Sequence, residues 1–287
     1  IVDELDVVFS ALPHAASAER VEKVLEQDVR VIDLSADFRL KDINEYQAWY
    51  TTEHPCPKYI DQAIYGLPEL HRNEINSSKL IAVPGCYPTA AILALMPAVS
   101  CGVIEPDIII DAKSGVSGSG RSLSLMSHYS EMNDNFMAYS VDGHRHLPEI
   151  TQELNKADYF GKPKITLLTH LVPMTRGILV SCYAPLKSNM SLNNGVSITD
   201  YVMDVYEDFY KDEPFVKVVD TPPMTKYTVG SNNCVIYPTI DVRTDRLIVI
   251  SCIDNLIKGA AGQAVQNMNI MFDISETKGL ESLPCYP

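Results

Sequence analysis

Residues 83–99 read VPGCYPTAAILALMPAV. A cysteine stands between a glycine and a tyrosine, and a run of small and apolar residues follows that predicts a helix opening near Cys86. A cysteine in the first turn of a helix feels the positive end of the helix dipole and backbone N–H groups that have no acceptor within the helix. Both favour thiolate over thiol. The thiolate is a nucleophile, and the thioester it forms on an acyl group accepts hydride readily. Gly85 permits a sharp turn and the close approach of a substrate. Pro88 suits a helix start, where its missing N–H costs nothing. On spacing alone, Cys86 also reads as a small apolar residue packed at a strand-to-helix junction.

A second group of residues could move protons. DGHRHLPEITQEL (142–154) holds His144 and His146, with Glu149 three positions beyond the latter. Histidine is the side chain best matched to proton transfer near neutral pH. A helix beginning with Pro148 at its first position would return the Glu149 carboxylate towards the His146 ring and orient it. The same residues also read as a polar loop leading into a helix, and His144 rivals His146 for the acid–base role. Two histidines without a third ligand do not suggest zinc.

Anion recognition would fall to a few arginines. Arg39 closes SADFR just after a predicted parallel strand, where ligands of α/β sheets gather. Guanidinium suits phosphate and carboxylate through bidentate hydrogen bonding. Arg121, Arg145 and Arg176 are further candidates, each equally readable as a surface ion pair. KSGVSGSGR (113–121) follows a strand; its backbone amides could cradle an anion, or it is a flexible hairpin tip.

These residues need elements to position them. DVVFSAL (6–12) reads as a buried strand, and HAASAERVEKVLEQ (14–27) as a helix with Ala18, Val21, Val24 and Leu25 on one face. RVIDLS (30–35) and KLIAVPG (79–85) read as further strands. Strand, helix and strand with short connections predict a parallel sheet. The intervening WYTTEHPCPKYIDQAIYGLPEL reads as an excursion across the surface. After Cys86 the chain becomes strand-rich. Ile108, Ile109 and Ile110 suit a buried strand, 164–186 holds two strand-like runs, and 232–254 predicts two antiparallel strands around RTDR. The end, 255–274, returns to helix, with Leu256, Ala260, Ala264 or Val265, and Met268 on its apolar stripe.

The chain has 287 residues and a net charge of −14, which argues against nucleic acid or an anionic membrane as partner. No apolar run approaches the ~18 residues of a membrane span, and no secretory signal or lipidation motif is seen. The seven cysteines are odd in number and form no C-x-x-C pair, which predicts reduced thiols in the cytoplasm rather than a disulfide framework.

AVPGCYPTA, ALPHAAS (11–17), VIDLSADFRL (31–40), GHRHLPEI (143–150), HLVPMTRGI (170–178) and GAAGQAVQNMN (259–269) occur in this order along nearly the whole chain. Together they closely resemble the N-acetyl-γ-glutamyl-phosphate reductases, within the wider family that includes aspartate-semialdehyde dehydrogenase. The resemblance implies an α/β fold: a partial Rossmann-type parallel sheet plus a mixed α+β catalytic and dimerisation domain. Residues 1–85 and 253–287 would form an NADP-binding domain, and 86–252 a catalytic and oligomerisation domain. Cys86 would be the nucleophile, His146 the acid–base group and Glu149 its orienting carboxylate. Arg39, His144, Arg145, Arg121 and Arg176 would bind substrate. Ser10, Leu12, Pro13, Ser114, Gly115, Gly118 and Asn232 would line NADP. The implied partners are a small acyl phosphate and further copies of the chain, as a dimer or tetramer. A plastid or mitochondrial matrix would replace the cytoplasm in a eukaryote.

One expected part is missing. A family member should open with a strand and a Gly-rich phosphate loop, and that first βαβ unit, about 65 residues, does not precede Ile1. The sequence as given would therefore lack the main cofactor anchor and bind NADPH weakly. Aspartate-semialdehyde dehydrogenase, a reductase of a longer or carrier-linked acyl phosphate, and a cysteine acyltransferase or hydrolase without hydride transfer are the alternative readings.

Overall fold

A computed structural model describes residues 4–157, 161–188 and 197–286. The chain divides into two compact units, Ile1–Gly85 with Gly259–Ser282, and Cys86–Lys258 with Leu283–Pro287. The sequence places the second crossing at 252/253. It falls at 258/259 because Asp254 and Asn255 are bonded into loops of the second unit.

The first unit is built on a parallel sheet of β1 (Val7–Ser10), β2 (Arg30–Asp33), β3 (Ile64–Tyr65) and β4 (Leu80–Ala82), in the order β1-β2-β4-β3. Strand side chains alternate between faces, and two cores result. Val31, Leu80 and Ala82 pack with Ala18 and Val21 of α1 (Ala16–Leu25) on one face. Ile32 and Ile81 pack with Ile75 of α3 (Pro68–Ser77) and with Ala264, Ile270 and Met271 of α8 (Gly262–Met271) on the other.

Three expectations for this unit are corrected. The first strand is only partly buried: Val7 and Val8 are half-buried and Ser10 is buried, but Phe9 is 41 % exposed. The predicted surface excursion is a folded connection. His54, Cys56, Ile60, Ala63, Tyr65 and Leu67 are all buried, and β3 adds the fourth strand. It also contains the end of α2 (Ile43–Tyr50). The C-terminal helix buries its polar residues more than its predicted stripe. Leu256, Ala260, Val265 and Met268 are half-buried and Ala264 is buried, whereas Gln263 and Asn267 are fully enclosed and both donate to the Gly66 carbonyl, at 3.2 and 2.9 Å. A buried backbone carbonyl needs donors, so carboxamides occupy the face that periodicity assigns to alkyl groups.

The second unit carries a seven-stranded mixed sheet in the order β6-β7-β5-β8-β11-β10-β9. Its strands are β5 (Asp107–Gly115), β6 (Met137–Tyr139), β7 (Lys164–Val172), β8 (Ile178–Pro185), β9 (Val216–Val218), β10 (Cys234–Asp241) and β11 (Arg246–Ile253). The expected antiparallel pair is β10 and β11, in register Asp241↔Arg246 to Cys234↔Ile253. Helix α4 (Cys86–Ser100) packs on β8, β10 and β11 and buries every residue from Tyr87 to Val99. Helices α6 (Leu147–Leu154) and α7 (Ile198–Tyr210) pack against α4. The short helix α5 (Tyr129–Met132) precedes β6. Ile109 departs from expectation: Ile108 and Ile110 are buried on one face of the sheet, but Ile109 points to the opposite face and is 43 % exposed.

Candidate active site

Cys86 is the first residue of α4, directly after β4 and the Val83-Pro84-Gly85 turn. It lines a pocket of about 310 Å³ in the second unit together with Tyr87, Tyr139, His144, Arg145 and His146. Ser114, Gly118 and Ser119, at the end of β5 and in the turn after it, also line it, as do Ser124 and Met126. Cys86 is half-buried, whereas Cys56, Cys182, Cys234 and Cys252 are buried, and Cys101 and Cys285 are exposed; all seven are free. A larger hollow in the first unit, about 510 Å³, contains neither cysteine nor histidine, and its Asp28 and Lys79 are paired with each other.

Local chain geometry sets the two histidines. Helix α6 starts at Leu147, with His146 as its N-cap, so Pro148 is the second helical residue rather than the first. The His146 backbone N–H donates to His144 Nδ1 at 3.1 Å. In neutral His144 the ring proton therefore sits on Nε2. The two rings lie 4.6 Å apart. Tyr87 and Tyr139 present ring edges to His144 at 5.5 and 5.6 Å. Burial, and secondarily the charge of Arg145, lower the His144 pKa to about 4. Tyr139 Oη donates to Tyr87 Oη, which donates to the His170 carbonyl, each at 3.1 Å. Burial raises both phenols, so both remain donors.

The pocket thus brings together Cys86, His144, His146, Arg145, Ser114 and Gly118 of the residues singled out in the sequence. Glu149 is fully buried on α6, three residues after His146. Among the described residues Arg145 is the arginine lining the pocket, and it is otherwise exposed. Arg121 is exposed outside the lining, and Arg176 is ion-paired with buried Asp254 at 2.9 Å. Gly115 sits so close to residues 175 and 176 that a Cβ would lie 2.8 Å from their backbone. A Cβ on Gly118 would meet Ser114 Oγ at 2.7 Å. Asn232 is buried in the second unit, away from the pocket lining. Among the described residues no group of three or more His, Cys, Asp or Glu is placed to hold a metal ion.

The remaining predicted residues belong to the first unit. Arg39 Nη2 donates to the Leu34 carbonyl at 2.8 Å. Ser10 Oγ bonds Ser17 Oγ at 2.7 Å, and Ser17 donates to buried Asp33. Leu12 is 44 % exposed and Pro13 is exposed beside it. The start of α1 is already occupied. Asp37 accepts from the N–H groups of Ala15 and Ala18 at 2.8 and 2.9 Å, and from Tyr46 Oη. Ala15 itself adopts φ 66°. A resident carboxylate at a helix N-terminus opposes a phosphate there, so ALPHAAS offers a cofactor an apolar surface, Leu12 and Pro13. Sequence reasoning passed over Asp37, Tyr87 and Tyr139; Tyr87 adjoins Cys86 in its motif, but nothing in the sequence marks Tyr139.

Comparisons with known proteins identify the family. Residues 1–78 match the semialdehyde dehydrogenase NAD binding domain family, and residues 86–255 the semialdehyde dehydrogenase dimerisation domain family. An N-acetyl-gamma-glutamyl-phosphate reductase of Dehalococcoides mccartyi is 54 % identical over 284 residues, covering 99 % of this chain and 81 % of that protein. One from Desulforamulus reducens is 49 % identical over 291 residues, covering 100 % and 82 %. Aspartate semialdehyde dehydrogenase II of Vibrio cholerae superposes with a TM-score of 0.70 at 16 % identity, over 95 % of this chain and 81 % of that one. Aspartate semialdehyde dehydrogenase of Candida albicans, solved with NADP, gives 0.61 at 17 % identity over 93 % and 77 %. These two show the shared fold. With two family models matching most of its length and relatives about half identical over nearly all of it, the chain belongs to the N-acetyl-γ-glutamyl-phosphate reductase family of NAD(P)-binding oxidoreductases.

Proposed function

We propose that this protein reduces N-acetyl-L-glutamyl 5-phosphate to N-acetyl-L-glutamate 5-semialdehyde and phosphate, with NADPH, as a step of arginine biosynthesis. The observation that carries the reading is Cys86 at the start of α4, sharing one pocket with His144, Arg145 and His146. Cys86 Sγ attacks the acyl carbonyl carbon. The carbon–oxygen bond to phosphate breaks, its electron pair leaves with phosphate, and a thioester remains. The first turn of α4 presents the positive end of the helix dipole to negative charge developing beside Cys86. His146 takes the thiol proton and returns a proton to the departing oxygen, with Glu149 orienting it. Arg145 and the Nε2–H of His144 hold substrate anions, with Arg121 as a further contact; Arg39 is the first unit's own candidate for an anion. Arg176, engaged by Asp254, adds positive potential.

NADPH, when bound, would supply the hydride that brings the thioester carbon to the aldehyde level; the carbon–sulfur bond then breaks, its electron pair returns to Cys86 Sγ, and the semialdehyde leaves. Ser10, Leu12 and Pro13 are the candidate cofactor residues of the first unit, and Ser114, Gly115, Gly118 and Asn232 are those of the second. The first unit would be the cofactor domain, the second the catalytic and subunit-contact domain. Free cysteines and a nucleophilic thiol suit the reducing cytoplasm. No helix among the described residues is long and apolar enough to cross a membrane.

The test is a steady-state assay of the full-length protein with NADPH and a panel of acyl phosphates. Cys86→Ser should lower kcat by at least ~10³-fold with the fold intact, because a hydroxyl is a far weaker nucleophile. Iodoacetamide should label Cys86 ahead of exposed Cys101 and Cys285. A serine variant near the normal rate, or uniform labelling, refutes the nucleophile.

A further inference from the structure

Tyr87 follows the nucleophile in α4, is 2 % exposed and takes no part in the chemistry, yet four segments of the pocket wall meet on it. Its hydroxyl donates to the His170 carbonyl of β7 and accepts from Tyr139 Oη of β6, each at 3.1 Å. The same hydroxyl is bonded to the Ser114 side chain at the end of β5. Its ring stands nearly perpendicular to that of His144, 5.5 Å between centres, and lies 6.0 Å from the His146 ring.

Tyr139 packs on the same imidazole, 5.6 Å between ring centres. Tyr87, Tyr139 and His144 therefore touch one another in pairs, and the bond between the two hydroxyls closes the group. Backbone bonds alone do not fix it. The pairing of β6 with β7, in register Tyr139↔Thr169, and the Thr169 Oγ1 bond to the Tyr139 carbonyl at 2.8 Å hold the main chain of Tyr139. They leave its ring to turn about the side-chain bonds. The His146 N–H holds Nδ1 of His144 at 3.1 Å and leaves the plane of the imidazole to its neighbours. A phenol has one proton to donate, and the Tyr87 oxygen is the acceptor that gives the Tyr139 hydroxyl its direction.

We propose that Tyr87 is a positioning residue for substrate binding: through the Tyr139 hydroxyl it closes the cage of rings that aims the Nε2–H of His144 at a substrate anion. This rests on the pocket being the acyl-phosphate site. Without the Tyr87 hydroxyl, Tyr139 loses its acceptor, its ring turns, and His144 loses its fixed plane and part of its cover. Anion binding by His144 serves the bound substrate and the transition state alike, so weakening it raises KM more than it lowers kcat. Cys86 keeps its place, because helix α4 sets it.

The test is a double-mutant cycle in the full-length enzyme between Tyr87→Phe and His144→Gln, with Tyr139→Phe beside it. Tyr87→Phe should raise KM for the acyl phosphate about 10-fold, near the worth of one hydrogen bond to an anion. Tyr139→Phe removes the same bond and should match it. In the His144→Gln background Tyr87→Phe should add little, because the imidazole it aims is gone. A hydroxyl with only a structural role would cost the same in both backgrounds. Imidazole NMR of the substrate-free protein gives a second reading. Burial holds wild-type His144 at about 4, and a looser cage should move its titration towards the ordinary 6.5 in both phenylalanine variants. If Tyr87→Phe fails to fold, Tyr139→Phe, on the edge strand β6, removes the same bond and decides. An unchanged KM in either phenylalanine variant, an equal rise in the His144→Gln background, or an unmoved His144 titration overturns the inference. A wild-type enzyme that does not turn over acyl phosphates overturns the function instead, and the titration still decides the cage.

Discussion

His144 carries the clearest electrostatic consequence of this site. In an unfolded chain its imidazole protonates near its ordinary pKa of 6.5, but in the fold burial and Arg145 delay that to about 4. As pH falls below 6.5 the unfolded state takes up the proton first. Stability that neutral His144 contributes is therefore complete above pH 6.5 and is lost progressively down to about pH 4. Thermal unfolding of wild type and His144→Gln at pH 7.5, 6, 5 and 4.5 should show a smaller loss of Tm in the variant over that window. Parallel losses would remove His144 as the source. Neutral His144 also cannot produce an activity change between pH 5 and 8, so His144→Gln should leave the pH midpoints of kcat in place while raising KM. At this scale the sequence was informative where the chemistry is local. Cys86, His144 and His146 sit in short motifs whose residue types already state their reactivity. Tyr139 was illegible because the pairing of β6 with β7 is what brings it to Tyr87, 52 positions away in the chain.

Helix α4 shows how an element can break a local rule and be repaired by a neighbour. Pro97 stands inside the helix and has no N–H, so the Leu93 carbonyl four residues earlier loses its helical donor. Tyr210 of α7 donates its hydroxyl to that carbonyl at 2.6 Å, and Tyr206 reaches the Ala94 carbonyl at 2.7 Å. Both tyrosines are buried. Tyr210→Phe would leave a buried carbonyl unsatisfied, a cost of ~1–3 kcal/mol. In a Pro97→Ala background the helix regains its own donor, and the same substitution should cost less than half as much. Urea denaturation of the four proteins measures this; equal costs in both backgrounds would show that the hydroxyl does not replace the missing N–H. Much of the element pattern was readable, since the short apolar runs of β2, β4 and β5 are what strands buried in a sheet require. The polar buried face of α8 was not. Its rule is set by the Gly66 carbonyl, which only the folded connection before α3 brings there. The burial of that connection stayed hidden for the same reason, because Pro and aromatic residues mark a turn-rich path without showing which side chains point inward.

The seven-stranded sheet covers one face with α4 and leaves the other uncovered by described helices. Following the register, Ile109 of β5 stands beside Thr166 of β7 and Tyr183 of β8, and Tyr183 beside Ile248 of β11. The next row on that face runs from Leu168 through Asp111 and Ser181 to Ile250 and Tyr237. Asp111 is paired there with Lys113 at 2.7 Å and with His170 at 3.2 Å. A face that sets Ile109, Tyr183, Ile248, Ile250 and Tyr237 around the Asp111–Lys113 ion pair is suited to burial against another protein surface. We propose that a second copy of the chain covers it, in keeping with the match of residues 86–255 to a dimerisation domain family. Sequence periodicity pointed to a buried triplet of isoleucines at 108–110; the exposure of Ile109 is what association of whole molecules would resolve. Ile109→Glu places a carboxylate at the centre of this face without touching α4 or the Cys86 pocket. In a symmetric pair each interface would receive two such charges, and burying one without a partner costs ~3 kcal/mol or more. Light scattering across a dilution series should therefore give wild type a multiple of the chain mass, and give Ile109→Glu the mass of one chain at concentrations where wild type stays associated, a Kd weakened at least ~100-fold. Far-UV circular dichroism should remain that of wild type. If Ile109→Glu associates as tightly as wild type, the subunit contact lies on another surface of the molecule.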